Sequence, residues 1–324
     1  MQQGIYVVAN NNVYDQLVAL LNSVEANYSR DIPICVIPYN NDIDLIKKEI
    51  TKRKNVSLFE NQAIIEKWER FVTRVQALYY DYPSELGSKK KKAQKVQHSR
   101  KYCAFDGEFD KFIFIDCDTL VFRPLNHIFQ KLDDYDFIVH DFQRKTSSNK
   151  NTIDSFIEVF QDSYGSTDVL SRYFHCSGFW GAKRGAITEL DLEVFLQDLA
   201  SGEIRIFGDK LSEQRLLNYM TLKKLFKPYN LTFDGDSEYC TGVCVTSKHF
   251  EEKQHILYDK GKRLTYLHYM GVSNELFGQL CEWQKSKIPF KNALLPITDK
   301  LFDRKISSIP YKDVFVHYRF LYEA

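Results

Sequence analysis

Four residues, Phe112-Ile113-Phe114-Ile115, run without a polar interruption and end in Asp116-Cys117-Asp118. A run of this kind suits a strand buried on both faces, the kind found in parallel sheets covered by helices. The preceding chain agrees. Ile5 to Ala9 reads as a strand, and Asn10, Asn11 and Asn12 supply a cap for a helix with Val13, Leu17, Leu20, Leu21 and Val24 on one face. Ile32 to Ile37 reads as a second strand, followed by a helix carrying Ile43, Ile46 and Ile50. Val56 to Phe59 is a third strand, and Ile64 to Tyr80 reads as a helix closed by Pro83. This alternation predicts an α/β sheet flanked by helices.

Further on, Asp136 to His140 and Phe174 to Gly181 are expected strands, and Gln143 to Asn151 an expected loop. Ile187 to Leu199 and Ser212 to Leu225 are expected helices, and Leu264 to His268 a late strand. Gly87 to Lys101 interrupts the pattern and reads as a loop running into a helix. From residue 88 to residue 101 there are seven Lys or Arg and no acid.

The whole chain nevertheless has a formal net charge of only +1, with 44 basic and 43 acidic residues. The rest of the molecule is therefore mildly acidic, which disfavours a broad nucleic-acid surface but allows a local anionic site. Seven cysteines without a CxxC pair indicate reduced thiols. The N-terminus has no secretory signal pattern, and no apolar run approaches the ~20 residues of a membrane span. A cytoplasmic protein is expected, with peripheral contact to the inner face of a membrane as the alternative, because the final segment mixes aromatic and basic residues.

The Asp116-x-Asp118 pair carries the chemistry. Ligands of open α/β sheets bind beyond the carboxyl ends of the strands. Two carboxylates on one side of an extended chain, among apolar neighbours, are costly without a cation. Oxygen ligands favour Mg²⁺ or Mn²⁺, ions that in turn bind diphosphates. A phosphatase of the haloacid dehalogenase type also places DxD after an apolar strand. Those enzymes usually have Thr four residues after the first Asp, where this chain has Leu120.

Several ordered motifs make the chain resemble GT-A-fold glycosyltransferases, in particular glycosyltransferase family 8, which includes glycogenin and bacterial lipooligosaccharide galactosyltransferases. They are Ala9-Asn10-Asn11-Asn12-Val13-Tyr14, Arg100, Asp116-Cys117-Asp118, Phe174-His175-Cys176-Ser177-Gly178-Phe179, Gly208-Asp209 with Glu213-Gln214, and Leu267-His268-Tyr269-Met270-Gly271. The resemblance implies a mixed, mostly parallel central sheet flanked by helices, with a C-terminal helical extension. It divides the chain into a catalytic domain, 1–272, and an extension, 273–324. Within the first, 1–122 is the nucleotide-binding half and 123–272 the half for sugar and acceptor.

The resemblance also assigns residues. Ala9, Asn11, Tyr14, Arg100, Asp116, Cys117, Asp118 and Gly271 would contact the donor. Asp116, Asp118 and His268 would hold Mn²⁺ or Mg²⁺. Glu213, Gln214 and Asp209 would lie at the reacting sugar. The implied activity is metal-dependent transfer, with retention, from a nucleotide-sugar donor such as a UDP-sugar to a saccharide, glycolipid or protein hydroxyl. Were the enzyme to invert, Asp141, Asp209 or Glu213 would be the general base. The C-terminal segment is expected to form a helix packed on the domain or in a homodimer. His175 and Cys176 depart from the family pattern, as does Val272-Ser273-Asn274, where a phosphate-binding Lys often follows. Those departures keep a second possibility in view, a nucleotide-sugar-binding protein without turnover.

Overall fold

The computed structural model describes residues 1–83, 91–140, 150–164, 170, 173–231, 234, 240–243, 247–286, 291–301 and 305–323. The strands are β1 Gln3–Ala9, β2 Ile34–Pro38, β3 Val56–Leu58, β4 Lys92–Ala93, β5 Lys111–Ile115, β6 Thr119–Val121, β7 Phe137–Val139, β8 Phe179–Lys183, β9 Lys210–Leu211, β10 Pro228–Asn230, β11 Cys240–Val243, β12 Glu251–Lys253, β13 Ile256–Asp259 and β14 Lys262–His268. The helices are α1 Tyr14–Asn27, α2 Asp44–Ile50, α3 Gln62–Asp81, α4 Asn126–Lys131, α5 Lys150–Tyr164, α6 Glu189–Ala200, α7 Glu213–Lys223, α8 Asn274–Lys285, α9 Lys291–Leu301 and α10 Lys312–Phe320.

The main sheet has the order β10-β7-β8-β5-β1-β2-β3. Strands β5, β1, β2 and β3 run parallel, and β8 is inserted antiparallel between β5 and β7. The sheet is therefore mixed and mostly parallel, as expected. A smaller sheet has the order β11-β14-β13-β12, with β6 antiparallel to β14. Because β6 follows β5 directly, this second sheet starts at the carboxyl end of the central strand.

Every residue of β5 is buried. Trp180 of β8 stacks on Phe105, Phe114 and Phe137 at centroid separations of 5.0, 5.4 and 5.5 Å. Such ring pairs add about 0.5–1.5 kcal/mol each beyond burial. This floor sets the position of the chain where β5 ends. The C-terminal segment packs on the same body: Phe277, Leu280, Val314, Phe315 and Tyr318 share one apolar cluster with Leu120 and Phe122. Asn22 of α1 donates to the Tyr318 carbonyl at 2.7 Å.

Local departures from the sequence expectation are small. Residues 174–178 do not join β8. The N–H of Cys176 goes to His140 O at 3.1 Å, and that of His175 to the Asn218 side chain. The basic segment holds the short strand β4, parallel to β9, and then a 3₁₀ helix, Val96–Asp106. Of the expected loop Gln143 to Asn151, the last two residues begin α5, and the rest lies outside the described residues, as does Asp141. All six described cysteines are free thiols.

Candidate active site

Topology brings the acidic pair and His268 together. β6 is antiparallel to β14 in a register that sets His268 opposite Thr119, the residue after Asp118. The N–H of Tyr269 donates to Asp118 O at 2.7 Å, locking the two turns together. On the other side, the Asp116 N–H donates to Gly178 O at 2.8 Å. Ligand atoms of Asp116, Asp118 and His268 all lie within 4.8 Å of one another. His268 Nε2 is 3.2 Å from Asp118 Oδ1.

Gly178 makes this convergence possible. A Cβ there would lie 2.5 Å from His268 Cε1 and 2.9 Å from Asp116 Oδ2. Cys176 borders the same space. Its sulfur accepts the Gly178 N–H at 3.3 Å and its thiol hydrogen-bonds the His268 side chain.

Lys101, from the 3₁₀ helix, completes the cluster. Its ammonium is 3.2 Å from Asp116 Oδ1, donates to Ser177 O at 3.2 Å and is 3.8 Å from Glu213 Oε1. Ser177 Oγ also donates to Glu213 Oε1, at 3.1 Å. The Ser212 side chain caps α7 by accepting the Arg215 N–H, and this fixes Glu213 and Gln214 in the first turn.

The electrostatics follow from burial and pairing. Burial pushes the Asp116 carboxyl above its ordinary value, with Lys101 opposing. Burial also acts upward on Asp118, but the charge and hydrogen bond of His268 outweigh it and hold that carboxyl low. His268 is raised well above an ordinary imidazole, because Asp118 outweighs burial. Lys101 is likewise raised: Asp116 and Glu213 overcome the burial that favours the neutral amine. The Cys117 thiol is buried, bonds Val8 O at 3.1 Å and is pushed well above its ordinary value by burial and the flanking aspartates. It stays a thiol and serves to pack the turn.

Several of the residues expected at the donor spend their side chains on other protein groups. Ala9 ends β1 and its carbonyl accepts the Tyr39 N–H at 2.8 Å. Asn11 spends its side chain on the start of α2, donating to Asp42 Oδ1 at 2.5 Å and accepting the Leu45 N–H at 3.0 Å. Tyr14 donates to Glu49 Oε2 at 3.2 Å, under the guanidinium of Arg319. Arg100 is engaged by Glu69 Oε1 and Pro38 O, both at 2.7 Å, while its neighbour Lys101 reaches the carboxylates. Gly271 has φ of +86°, a conformation that only glycine adopts readily. Asp209 turns outward, 3.8 Å from Arg215.

His175 sits apart in function. It is buried, and its Nδ1 donates to Cys176 O at 2.9 Å. It is a structural histidine. Sequence reasoning missed Lys101, Ser177 and the pair Tyr39–His98, whose rings meet edge-on at 5.3 Å beside the carboxyl end of β2.

The fold matches solved glycosyltransferases. Mouse xyloside xylosyltransferase 1 in its apo form aligns with a TM-score of 0.52 at 12% identity, over 76% of this chain and 89% of that one. The galactosyltransferase LgtC, in complex with donor and acceptor sugar analogues, aligns with a TM-score of 0.52 at 14% identity, over 89% of this chain and 98% of that one. No protein-family model matches the chain, and comparison with curated sequences gives no match. The architecture is thus the GT-A fold of glycosyltransferases, as the ordered sequence motifs implied.

Proposed function

We propose that the protein transfers a sugar from a nucleotide-sugar donor, with UDP as its nucleotide, to an acceptor hydroxyl on a saccharide, glycolipid or protein. The observation that carries this is the convergence of Asp116, Asp118 and His268 at the carboxyl end of β5. The fold supports it, because solved structures of the same architecture include a galactosyltransferase seen with donor and acceptor analogues. The same architecture removes the basis for the haloacid dehalogenase alternative.

The donor set fits a divalent ion. Two carboxylates and one imidazole lie within reach of one centre, and Gly178 leaves space beside them. Oxygen-rich sites with one nitrogen suit Mn²⁺ or Mg²⁺. When bound, such an ion would act as a Lewis acid on the departing diphosphate. Asp116, Asp118 and His268 would hold it.

The chain's own groups shape the rest of the step. Lys101 keeps a positive charge where negative charge develops on the leaving group. Glu213 and Gln214, at the start of α7, orient the sugar hydroxyls and present the reacting carbon. Retention of configuration follows the family pattern and needs no separate carboxylate base, which leaves Asp209 free for its outward pair with Arg215.

Lys95, which lines a small cavity with Glu213, suits an anionic donor or acceptor. Among the described residues no helix is long and apolar enough to cross a membrane.

The test is incubation with a panel of nucleotide sugars, with and without MnCl₂. Release of free nucleoside diphosphate that needs the ion and disappears in Asp118→Ala is the expected result. Tight donor binding without release by the wild type would overturn the enzymatic reading in favour of a binding protein.

A further inference from the structure

The site contains a cation of its own. Lys101 is buried, its ammonium lies 5.0 Å from the centroid of the Phe114 ring, and it ends between two carboxylates. One is Asp116, at 3.2 Å, an expected metal ligand; the other is Glu213, at 3.8 Å. An ion bound through an Asp116 oxygen lies about 2.1 Å from that oxygen. On Oδ1 it would therefore stand no more than about 5.3 Å from the ammonium, where like charges in a buried site repel strongly.

Lys101 also has a place to retreat to. Glu213 Oε1 is only slightly farther away than Asp116, and Glu213 Oε2 is buried with no hydrogen-bond partner among the described residues. The carbonyl of Ser177 can hold the ammonium in either position, and Ser177 Oγ already bonds Glu213. The cluster has two charge arrangements built from the same side chains: lysine on Asp116, or metal on Asp116 and lysine on Glu213.

We propose that Lys101 is a resident counter-ion that competes with the divalent ion for Asp116 and so keeps the metal affinity of the nucleotide-free protein low. The inference rests on the assignment of Asp116, Asp118 and His268 as ligands. It adds a residue that works against them until Glu213 takes up its charge. A positioning role alone would make removal of Lys101 weaken the site; competition makes removal strengthen it.

The experiment is Mn²⁺ binding to the full-length protein without nucleotide, followed by the electron paramagnetic resonance signal of the free ion. Lys101→Met is expected to bind Mn²⁺ about tenfold more tightly than wild type. Lys101→Gln should shift the same way and serves if the methionine variant does not fold, with circular dichroism as the check. Lys101→Arg keeps the charge and should stay near wild type. Equal or weaker binding by folded Lys101→Met or Lys101→Gln, with Asp118→Ala still abolishing binding in wild type, would overturn the competition while leaving the metal site intact. Binding by neither wild type nor the variants would remove the metal assignment and the proposal together.

Discussion

The His175 N–H donates to Asn218 Oδ1 at 2.9 Å, and Asn218 Nδ2 donates back to His175 O, also at 2.9 Å. This two-way exchange ties the segment before Ser177 and Gly178 to α7, which carries Glu213. Asn218 is fully buried and gives a further bond to Gln214 O at 2.8 Å. Truncation would leave buried backbone groups without partners, each costing about 1–3 kcal/mol. Asn218→Ala is expected to lose about 2–4 kcal/mol by those magnitudes. Urea unfolding measures it, and a loss under about 0.5 kcal/mol would show that the exchange contributes little.

His175 also gives the protein an acid-sensitive core. Burial pulls its imidazole down to about 4, from an ordinary 6.5. The unfolded chain therefore takes up a proton at higher pH than the folded one. Stability from this group is full above pH 6.5 and falls as the pH drops toward 4. His127, also near 4 because of burial, acts in the same direction. The His175 contribution is on the order of 3 kcal/mol across the window. Unfolding free energies at pH 7 and near pH 4.5 should differ for wild type, and His175→Gln should flatten the difference. An unchanged slope in that variant would refute the assignment.

Gly178→Ala tests the space at the centre of the site. The added methyl has to displace the His268 ring or the Asp116 carboxylate, because it would come within 2.5 Å of one and 2.9 Å of the other. Displacement by about 1 Å suffices to cost catalysis around a hundredfold. Both Mn²⁺ binding and diphosphate release should fall. Gly278→Ala is the control: it lies in α8, where a Cβ meets nothing within 4 Å. That change should leave activity alone and stabilise the helix by up to about 1 kcal/mol. Wild-type activity in Gly178→Ala would show that Asp116, Asp118 and His268 need not converge as proposed.

What the sequence makes legible here depends on how strongly each side chain is constrained by pattern. The run from Phe112 to Ile115 and the late strand ending in His268 are both buried and β-like, so Asp116, Asp118 and His268 could be placed at strand ends. The antiparallel direction of β8 could not, because a fully buried strand reads alike in either direction. The exchange of Arg100 for Lys101 at the carboxylates has another cause. Both lie in a 3₁₀ helix, Val96–Asp106, with three residues per turn instead of 3.6. Within it Arg100 turns to Glu69 and Lys101 inward, and the basic segment has no apolar periodicity from which either direction could be read. The pairing of β4 with β9 was hidden for a simpler reason: β4 is two residues long and begins on the last of four lysines, Lys89 to Lys92, a run that carries no alternation to read.

The C-terminal helix reaches α1 through Arg319. Its side chain is buried, Nε lies 2.5 Å from Asp15 Oδ1, and a second nitrogen pairs with Glu323. The guanidinium also covers the Tyr14 ring at 5.4 Å. Tyr14 is the residue that the family resemblance places near the nucleobase, so α10 stabilises that corner as well as packing on α1. Arg319→Met keeps much of the apolar stem but leaves Asp15 partly buried and unpaired. Breaking such a pair from one side costs about 3–5 kcal/mol when it is fully buried, and somewhat less here because Asp15 retains solvent contact. The variant is expected to unfold at lower urea and to bind UDP several-fold more weakly. Asp15→Asn, which keeps the shape and one hydrogen bond, should lose less on both measures. Lower stability with unchanged UDP affinity would confine Arg319 to holding the helix and would separate Tyr14 from the base.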